Sequence, residues 1–271
     1  MPELPEVETT RRGIEPHIDQ RIITSVTVRQ PKLRWEIPQE LPQFAKGQRI
    51  QEVVRRGKYI LLKLDTGCIM LHLGMSGSLR VLRADAPVGK HDHVDIALDH
   101  GKLLRLNDPR RFGAVLWTLP DPSGHPLLAN LGPEPLEAEF TGDYLFQQSR
   151  GRAVAIKQFI MDGKVVVGVG NIYANEALFD SGIAPTRVAK TISKQRYAVL
   201  VDNIRAILSS AINQGGTTLR DFTQSDGKPG YFRQQLKVYG RAGLPCVTCA
   251  KPLIEKRIGQ RSSVYCNRCQ R

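Results

Sequence analysis

Two CxxC pairs, Cys246/Cys249 and Cys266/Cys269, stand sixteen residues apart near the end of a 271-residue chain. Four thiols at that spacing suit a tetrahedral zinc site, which ties a short segment into a folded unit that its own apolar residues could not hold. Disulfides do not suit the pattern, because no secretory signal opens the sequence, and a redox CxxC does not come in two matched copies. One structural Zn2+ per chain is therefore expected on Cys246, Cys249, Cys266 and Cys269, with no organic cofactor. The stretch between the pairs, KPLIEKRIGQRSSVY, reads as a hairpin turning near Ile258 to Arg261 that thrusts basic residues outward. The fifth cysteine, Cys68, lies in an apolar strand and reads as a small buried hydrophobe.

The rest of the chain falls into two differently patterned stretches. Leu4 to His17 has the marks of a helix: Pro5 at its first position, Glu6 and Glu8 in the first turn, Val7 and Ile14 on one face, and Pro16 at its end. From there to Leu119 short β-type runs follow one another at 22–28, 50–54, 59–64, 68–73, 78–82, 94–98, 102–106 and 114–118, punctuated by glycines. Runs this short and regular predict a two-sheet sandwich or a barrel, with the first helix laid against it. Five prolines in PDPSGHPLLANLGPEP break the rhythm and mark a boundary. Helices are expected beyond it at 141–148, 153–161, 172–180, 194–213 and 218–222, with a flexible loop over 223–232. The class is α+β, and the expected domains are 1–125, 126–230 and 231–271.

Charge indicates what such a chain meets. Its 39 Lys and Arg against 26 Asp and Glu leave a formal +13, the balance of a protein that neutralises phosphates and releases counterions. Ten of the basic residues lie between Gly227 and Arg271, against Glu255 alone. No apolar run reaches the roughly 18 to 20 residues of a membrane span, so a cytoplasmic, nucleoid-associated monomer is expected, with damaged double-stranded DNA as partner and no membrane.

Several motifs acquire meaning in that light. VVVGVGNIYANEALF sets Gly168 and Gly170 before a helix starting around Asn171, where backbone N–H groups and the Asn171 amide can receive a phosphate. It lacks the lysine of a nucleotide P-loop. HLGMSG with Met75, and NDPRRFG with Arg110, Arg111 and Phe112, unite an apolar wedge with an arginine that can satisfy an orphaned base. Core positions for Met75 and Phe112 and solvated turns for the arginines suit the same residues, and the sequence leaves both readings open. Lys58 and His91 are equally divided between surface and site.

The opening MPELPEVET supplies candidate chemistry. Removal of Met1 would expose the secondary amine of Pro2, and an α-amino group near pKa 8 carries about a hundredfold more free base at neutral pH than a lysine near 10.4. Its attack on a sugar carbon forms an iminium, an electron sink for eliminating the neighbouring phosphates. Glu3 and Glu6 stand beside it as candidate acids or bases.

Together MPELPEVET, RRGKY, HLGMSG, KHDHVD, DPRRFG, LGPEPL, VGVGNIYANEALF, QGGTTL, QSDGKPGYF, VYGR and the four-cysteine tail resemble the formamidopyrimidine-DNA glycosylases, bacterial enzymes that excise 8-oxoguanine and ring-opened purines. The resemblance runs nearly end to end. It implies a β-sandwich, a helix-two-turn-helix domain and a zinc finger, and a glycosylase that is also an abasic-site lyase. Carried over by position, it makes Pro2 the Schiff-base nucleophile and Glu3 the acid for base release and sugar-ring opening. Glu6 supports them, Lys58 serves β-elimination, and Arg261 serves δ-elimination. His91, Arg110, Arg152, Lys157 and Asn171 match DNA contacts. Met75, Arg110 and Phe112 match the trio that fills the void of the flipped base, and 217–231 matches a flap over it. Ala153 and Val154 stand where relatives carry more polar residues. LPEVET and Phe112 favour this branch over the endonuclease VIII-like glycosylases of oxidised pyrimidines. The third reading is a non-catalytic, zinc-stabilised nucleic-acid-binding protein, which would have no use for a reactive amine beside carboxylates.

Overall fold

A β-strand sends every second side chain to one face, and the computed structural model, which describes residues 2–215 and 236–271, collects one face of each sheet into one core. Helix α1 (Leu4–Ile18) is followed by β1 (Ile23–Val28), α2 (Leu41–Ala45), β2 (Ile50–Arg56), β3 (Tyr59–Leu64) and β4 (Cys68–His72). Strands β5 (Ser78–Arg83), β6 (Asp92–Leu98), β7 (Lys102–Asn107) and β8 (Ala114–Thr118) complete the region. Two antiparallel sheets form, in the orders β1-β6-β7-β5 and β2-β3-β4-β8. Ile60, Leu62, Ile69, Leu71 and Val115 from the second meet Val26, Val81, Val94, Ile96 and Leu104 from the first in one buried cluster with Val7, Ile14 and Ile18 of α1. Two sheets sharing one core make a sandwich, which decides between the two β architectures expected.

The chain divides into two compact units, the first comprising residues 2–129 with 212–215 and the second 130–211 with 236–271. The second unit holds α3 (Gly142–Ser149), α4 (Ile156–Met161), α5 (Asn171–Asp180), all but the last turn of α6 (Lys194–Gly215), and the hairpin β9 (Ile254–Ile258) and β10 (Arg261–Tyr265). Phe140, Phe159, Val166, Tyr173, Tyr197 and Leu200 are among its buried apolar residues. A smaller cluster joins Phe179 of α5 to Val238, Cys246, Leu253, Val264 and Cys266, and so seats the cysteine region on that helix.

Two expected boundaries differ in the structure, and one helix is additional. Helix α1 passes Pro16 and ends at Ile18, with the Asp19 N–H still reaching Glu15 O at 2.9 Å. Helix α4 begins at Ile156 rather than Ala153, because the backbone of 152–156 is bonded instead to 187–190, as in Ala189 N to Val154 O at 2.9 Å and Ile156 N to Arg187 O at 2.7 Å. Helix α2 was not foreseen, since LPQFA is too short to display a helical period. The helix expected at 218–222 and the flap at 217–231 lie outside the described residues.

Candidate active site

The amino end is held by its own carboxylates. Glu3 is extended and only 2% exposed. With Glu6 it forms a reciprocal capping box, in which the Glu3 N–H donates to Glu6 Oε2 at 2.8 Å. Helix α1 then runs antiparallel to β2: Gln20 N reaches Ile50 O, Arg11 Nη1 reaches Val53 O at 3.0 Å, and Arg55 Nε reaches Glu8 Oε2 at 3.1 Å. From Glu8 back to Glu3 the helix rises about 7.5 Å, the length of about two residues of strand. Pro2 and Glu3 therefore lie at the end of β2 where the chain turns through Gly57, at φ 57°, and Lys58. Arg55 links the two elements, since its Nη1 also donates to Gly57 O at 3.0 Å. Burial acts to raise the Glu8 carboxyl, but hydrogen bonds from Arg11 and Arg12 and the Arg55 charge outweigh it and hold Glu8 below the ordinary carboxylate range.

Strand register brings the wedge candidates to the same end of the sandwich. His72 pairs with Tyr59 on one side and Ala114 on the other. Asn107 likewise pairs with Ser78 and Asp92. The turn of Lys58, the 73–77 loop with Met75, the 108–113 loop with Arg110 and Phe112, and the strand start after His91 thus emerge together. Met75 and His91 are partly buried, whereas Phe112 is 44% exposed with the Arg110 guanidinium 5.1 Å from its ring centroid. The two loops touch through backbone: a Cβ on Gly74, which sits at φ 61°, would lie 2.3 Å from the carbonyl carbon of Phe112.

His72 is a site residue that sequence reading passed over, although it lies in the same HLGMSG run as Met75. Its Nδ1 accepts the Gly74 N–H at 2.9 Å, and its ring lies 4.9 Å from that of Tyr59. Burial, then the Lys58 and Arg34 charges, push its pKa down to about 4 against a smaller opposing pull from Asp108. The imidazole is consequently neutral at physiological pH, with the proton on Nε2.

In the second unit, Gly168 at φ 81° and an extended Gly170 lead into α5. The Asn171 side-chain oxygen is buried without a hydrogen-bond partner among the described residues. Further along the same helix, Asn175 Oδ1 accepts from Val264 N at 2.9 Å, and the Glu176 carboxylate takes the N–H groups of Lys237, Val238 and Tyr239. Lys157, expected among the DNA contacts, is 1% exposed, and its ammonium donates to Ser262 O and Ser263 Oγ at 2.6 Å each. That geometry makes it a support for β10. Arg152 is exposed. The β9–β10 hairpin turns through Gly259 and Gln260, both at positive φ, and Arg261 opens β10 exposed at its tip.

The four cysteines suit zinc. A tetrahedral site with Zn–S bonds of about 2.3 Å separates its sulfurs by about 3.8 Å; Cys249 and Cys266 are 3.5 Å apart, Cys246 and Cys269 3.9 Å, and all four lie within 4.8 Å of one another. Burial and the neighbouring sulfurs push the Cys269 thiol up to about 12. Cys266, despite its burial, is drawn down to about 7 by the N–H groups of Cys269 and Arg268. One thiolate forms readily, and only a cation lets four coexist.

Comparison with known proteins finds similarity along nearly the whole chain. The model of the formamidopyrimidine-DNA glycosylase N-terminal domain matches residues 1–115, that of the H2TH domain of the same glycosylase 131–223, and that of the zinc finger found in FPG and IleRS 243–271. A formamidopyrimidine-DNA glycosylase of Photobacterium profundum is 58% identical over 271 residues, all of both chains. The crystal structure of the MutM (Fpg) protein of Thermus thermophilus superposes with a TM-score of 0.85 at 37% identity, over 99% of this chain and 98% of that one. The Fpg of Lactococcus lactis in complex with abasic-site DNA gives 0.89 at 30% identity, over 100% of both.

Proposed function

Since the chain belongs to the formamidopyrimidine-DNA glycosylase family, we propose that it excises 8-oxoguanine and formamidopyrimidines from duplex DNA and then cleaves the abasic strand, as a bifunctional enzyme of base excision repair in the cytoplasm, at the nucleoid. The observation that carries the reading is the start of α1, where the segment bearing Pro2 and the buried Glu3 lies at the Lys58 end of β2.

After removal of Met1, the Pro2 nitrogen is a secondary amine preceding a helix start, and the helix's positive end favours its neutral form. Its lone pair attacks C1′ of the flipped nucleotide as the bond to the damaged base breaks, and the base leaves with that bonding pair and takes up a proton. Glu3 delivers a proton to the ring oxygen as the sugar opens, leaving the iminium. Loss of a 2′ proton then expels the 3′ phosphate, with Lys58 as proton carrier, and Arg261 serves expulsion of the 5′ phosphate. Hydrolysis of the iminium frees the amine.

Met75, Arg110 and Phe112 fill the vacated stack, Arg110 facing the opposite cytosine. His91, Arg152 and Asn171 hold phosphates, and His72, through Nε2–H, adds a donor beside Lys58. Lys157 contributes by fixing the strand that Arg261 begins. Zinc on the four cysteines would stabilise that hairpin and takes no part in the chemistry.

Borohydride reduction during reaction with a duplex containing 8-oxoguanine opposite cytosine tests the reading, because it fixes the iminium as a covalent adduct. Wild-type protein accumulates the adduct, and Pro2→Gly lowers adduct and strand cleavage by about 100-fold or more. Unchanged rates in Pro2→Gly would exclude Pro2 as nucleophile.

A further inference from the structure

Asp108 follows β7 within DPRRFG, is 0% exposed, and cannot itself touch DNA. Its carboxylate is nevertheless shared by both wedge loops. Oδ1 accepts the Ser76 hydroxyl at 2.7 Å and the Arg110 N–H at 3.3 Å, and Oδ2 accepts the Gly113 N–H at 2.8 Å. Ser76 Oγ closes the triangle by accepting the same Arg110 N–H at 3.2 Å. Ser76 directly follows Met75, and Arg110 and Gly113 bracket Phe112.

Asp108 also reaches the neighbouring strand through its backbone. Its N–H donates to His91 O at 3.0 Å, and its carbonyl accepts Arg111 N at 3.2 Å and lies 2.9 Å from His93 Nε2. Arg111, held at φ 56°, takes a left-handed conformation that a residue with a side chain adopts only under constraint. Every wedge side chain and His91 thus lie on, or next to, a residue bonded to Asp108.

We propose that Asp108 is a positioning residue that locks the Met75 loop to the Arg110–Phe112 loop, so that the three wedge side chains enter the duplex as one rigid unit. The inference rests on the wedge role given to those side chains above. A carboxylate is suited to the task because each oxygen can accept from a different loop at once. An amide offers one acceptor oxygen and turns N–H groups toward backbone N–H groups, leaving a buried donor unpaired.

The test uses the full-length protein carrying Asp108→Asn or the milder Ser76→Ala, under single-turnover conditions. Two rates are compared: excision of 8-oxoguanine opposite cytosine in a duplex, and borohydride trapping on a single-stranded abasic oligonucleotide, which has no stack to fill and no opposite base. The ratio of the first to the second is expected to fall about 10- to 100-fold in Asp108→Asn and about 3- to 10-fold in Ser76→Ala. The preference for cytosine over adenine opposite the lesion narrows with it. If Asp108 only supports the fold, both rates drop together and the ratio stays within about twofold, which overturns the proposal; should Asp108→Asn fail to fold, Ser76→Ala decides alone. Met75→Ala and Phe112→Ala, run alongside, separate the two levels of inference. Unchanged duplex excision in both removes the wedge reading and the proposal with it. A drop in both, with Asp108→Asn and Ser76→Ala unaffected, overturns the positioning role and leaves the wedge standing.

Discussion

Lys157 and Ser263, 106 positions apart in the chain, meet in one buried hydrogen bond of 2.6 Å, and the same ammonium donates to Ser262 O at 2.6 Å. Removing the ammonium leaves two acceptors without that donor inside the protein, so Lys157→Met is expected to cost about 2–4 kcal/mol. Thermal unfolding is the measurement; an unchanged midpoint would show that the ammonium contributes little to the hairpin's seat.

Zinc removal should act through shape. The binding free energy of a tetrathiolate site is of order 10 kcal/mol and falls with pH as protons compete for the sulfurs. Native mass spectrometry should find one zinc per chain at neutral pH. Stripping it with a strong chelator below about pH 5 should lower duplex affinity at least tenfold, with recovery when zinc is restored at neutral pH. Full affinity in demonstrably metal-free protein would contradict this.

His72 sets an acid limit on stability. Its pKa is depressed to about 4 in the fold, against about 6.5 in an unfolded chain. Between those values the unfolded state binds the proton and the native state does not, so stability is complete above about pH 6.5 and declines as pH falls toward 4, by at most about 3 kcal/mol. A His72→Asn variant should flatten that stretch of the stability–pH curve, as read by urea denaturation at stepped pH.

Gly74 tolerates no side chain. At φ 61°, with the Phe112 carbonyl carbon 2.3 Å from where a Cβ would stand, Gly74→Ala combines left-handed strain with a backbone collision and is expected to cost about 2–4 kcal/mol. Gly101→Ala, also at positive φ (77°) but with open space around it, keeps only the left-handed strain and should cost about 1–2 kcal/mol. Equal losses in the two variants would mean that the loop moves aside freely.

Local pattern revealed most of the architecture and less of the site. Strands β3 and β8 begin and end where the short β-type runs place them, because each buries one face on a shared core. Helix α5 was identified by GVGNIYANEALF, although Tyr173 to Phe179 are buried without an amphipathic stripe. Two features escaped because they depend on distant partners: Lys157 bonds Ser262 and Ser263 rather than being displayed, and His72 owes its depressed pKa to burial beside Lys58 and Arg34. Asp108 could be quoted within DPRRFG, but its bond to Ser76 crosses 32 positions, and no spacing rule reports it.

Helix α5 has a consequence for protein engineering. It contributes Phe179 to the core around the cysteines, Asn175 to the backbone of Val264, and Glu176 to Lys237, Val238 and Tyr239, while Gln270 Nε2 returns to Ile183 O at 2.9 Å and Arg271 N to Gly182 O at 2.9 Å. The cysteine segment is therefore no portable cassette. A graft of 243–271 alone onto another scaffold would leave behind the amide, the carboxylate and the ring that seat it. A chimaera that keeps the hairpin in register must transfer α5, Lys157 and residues 236–242 along with the finger.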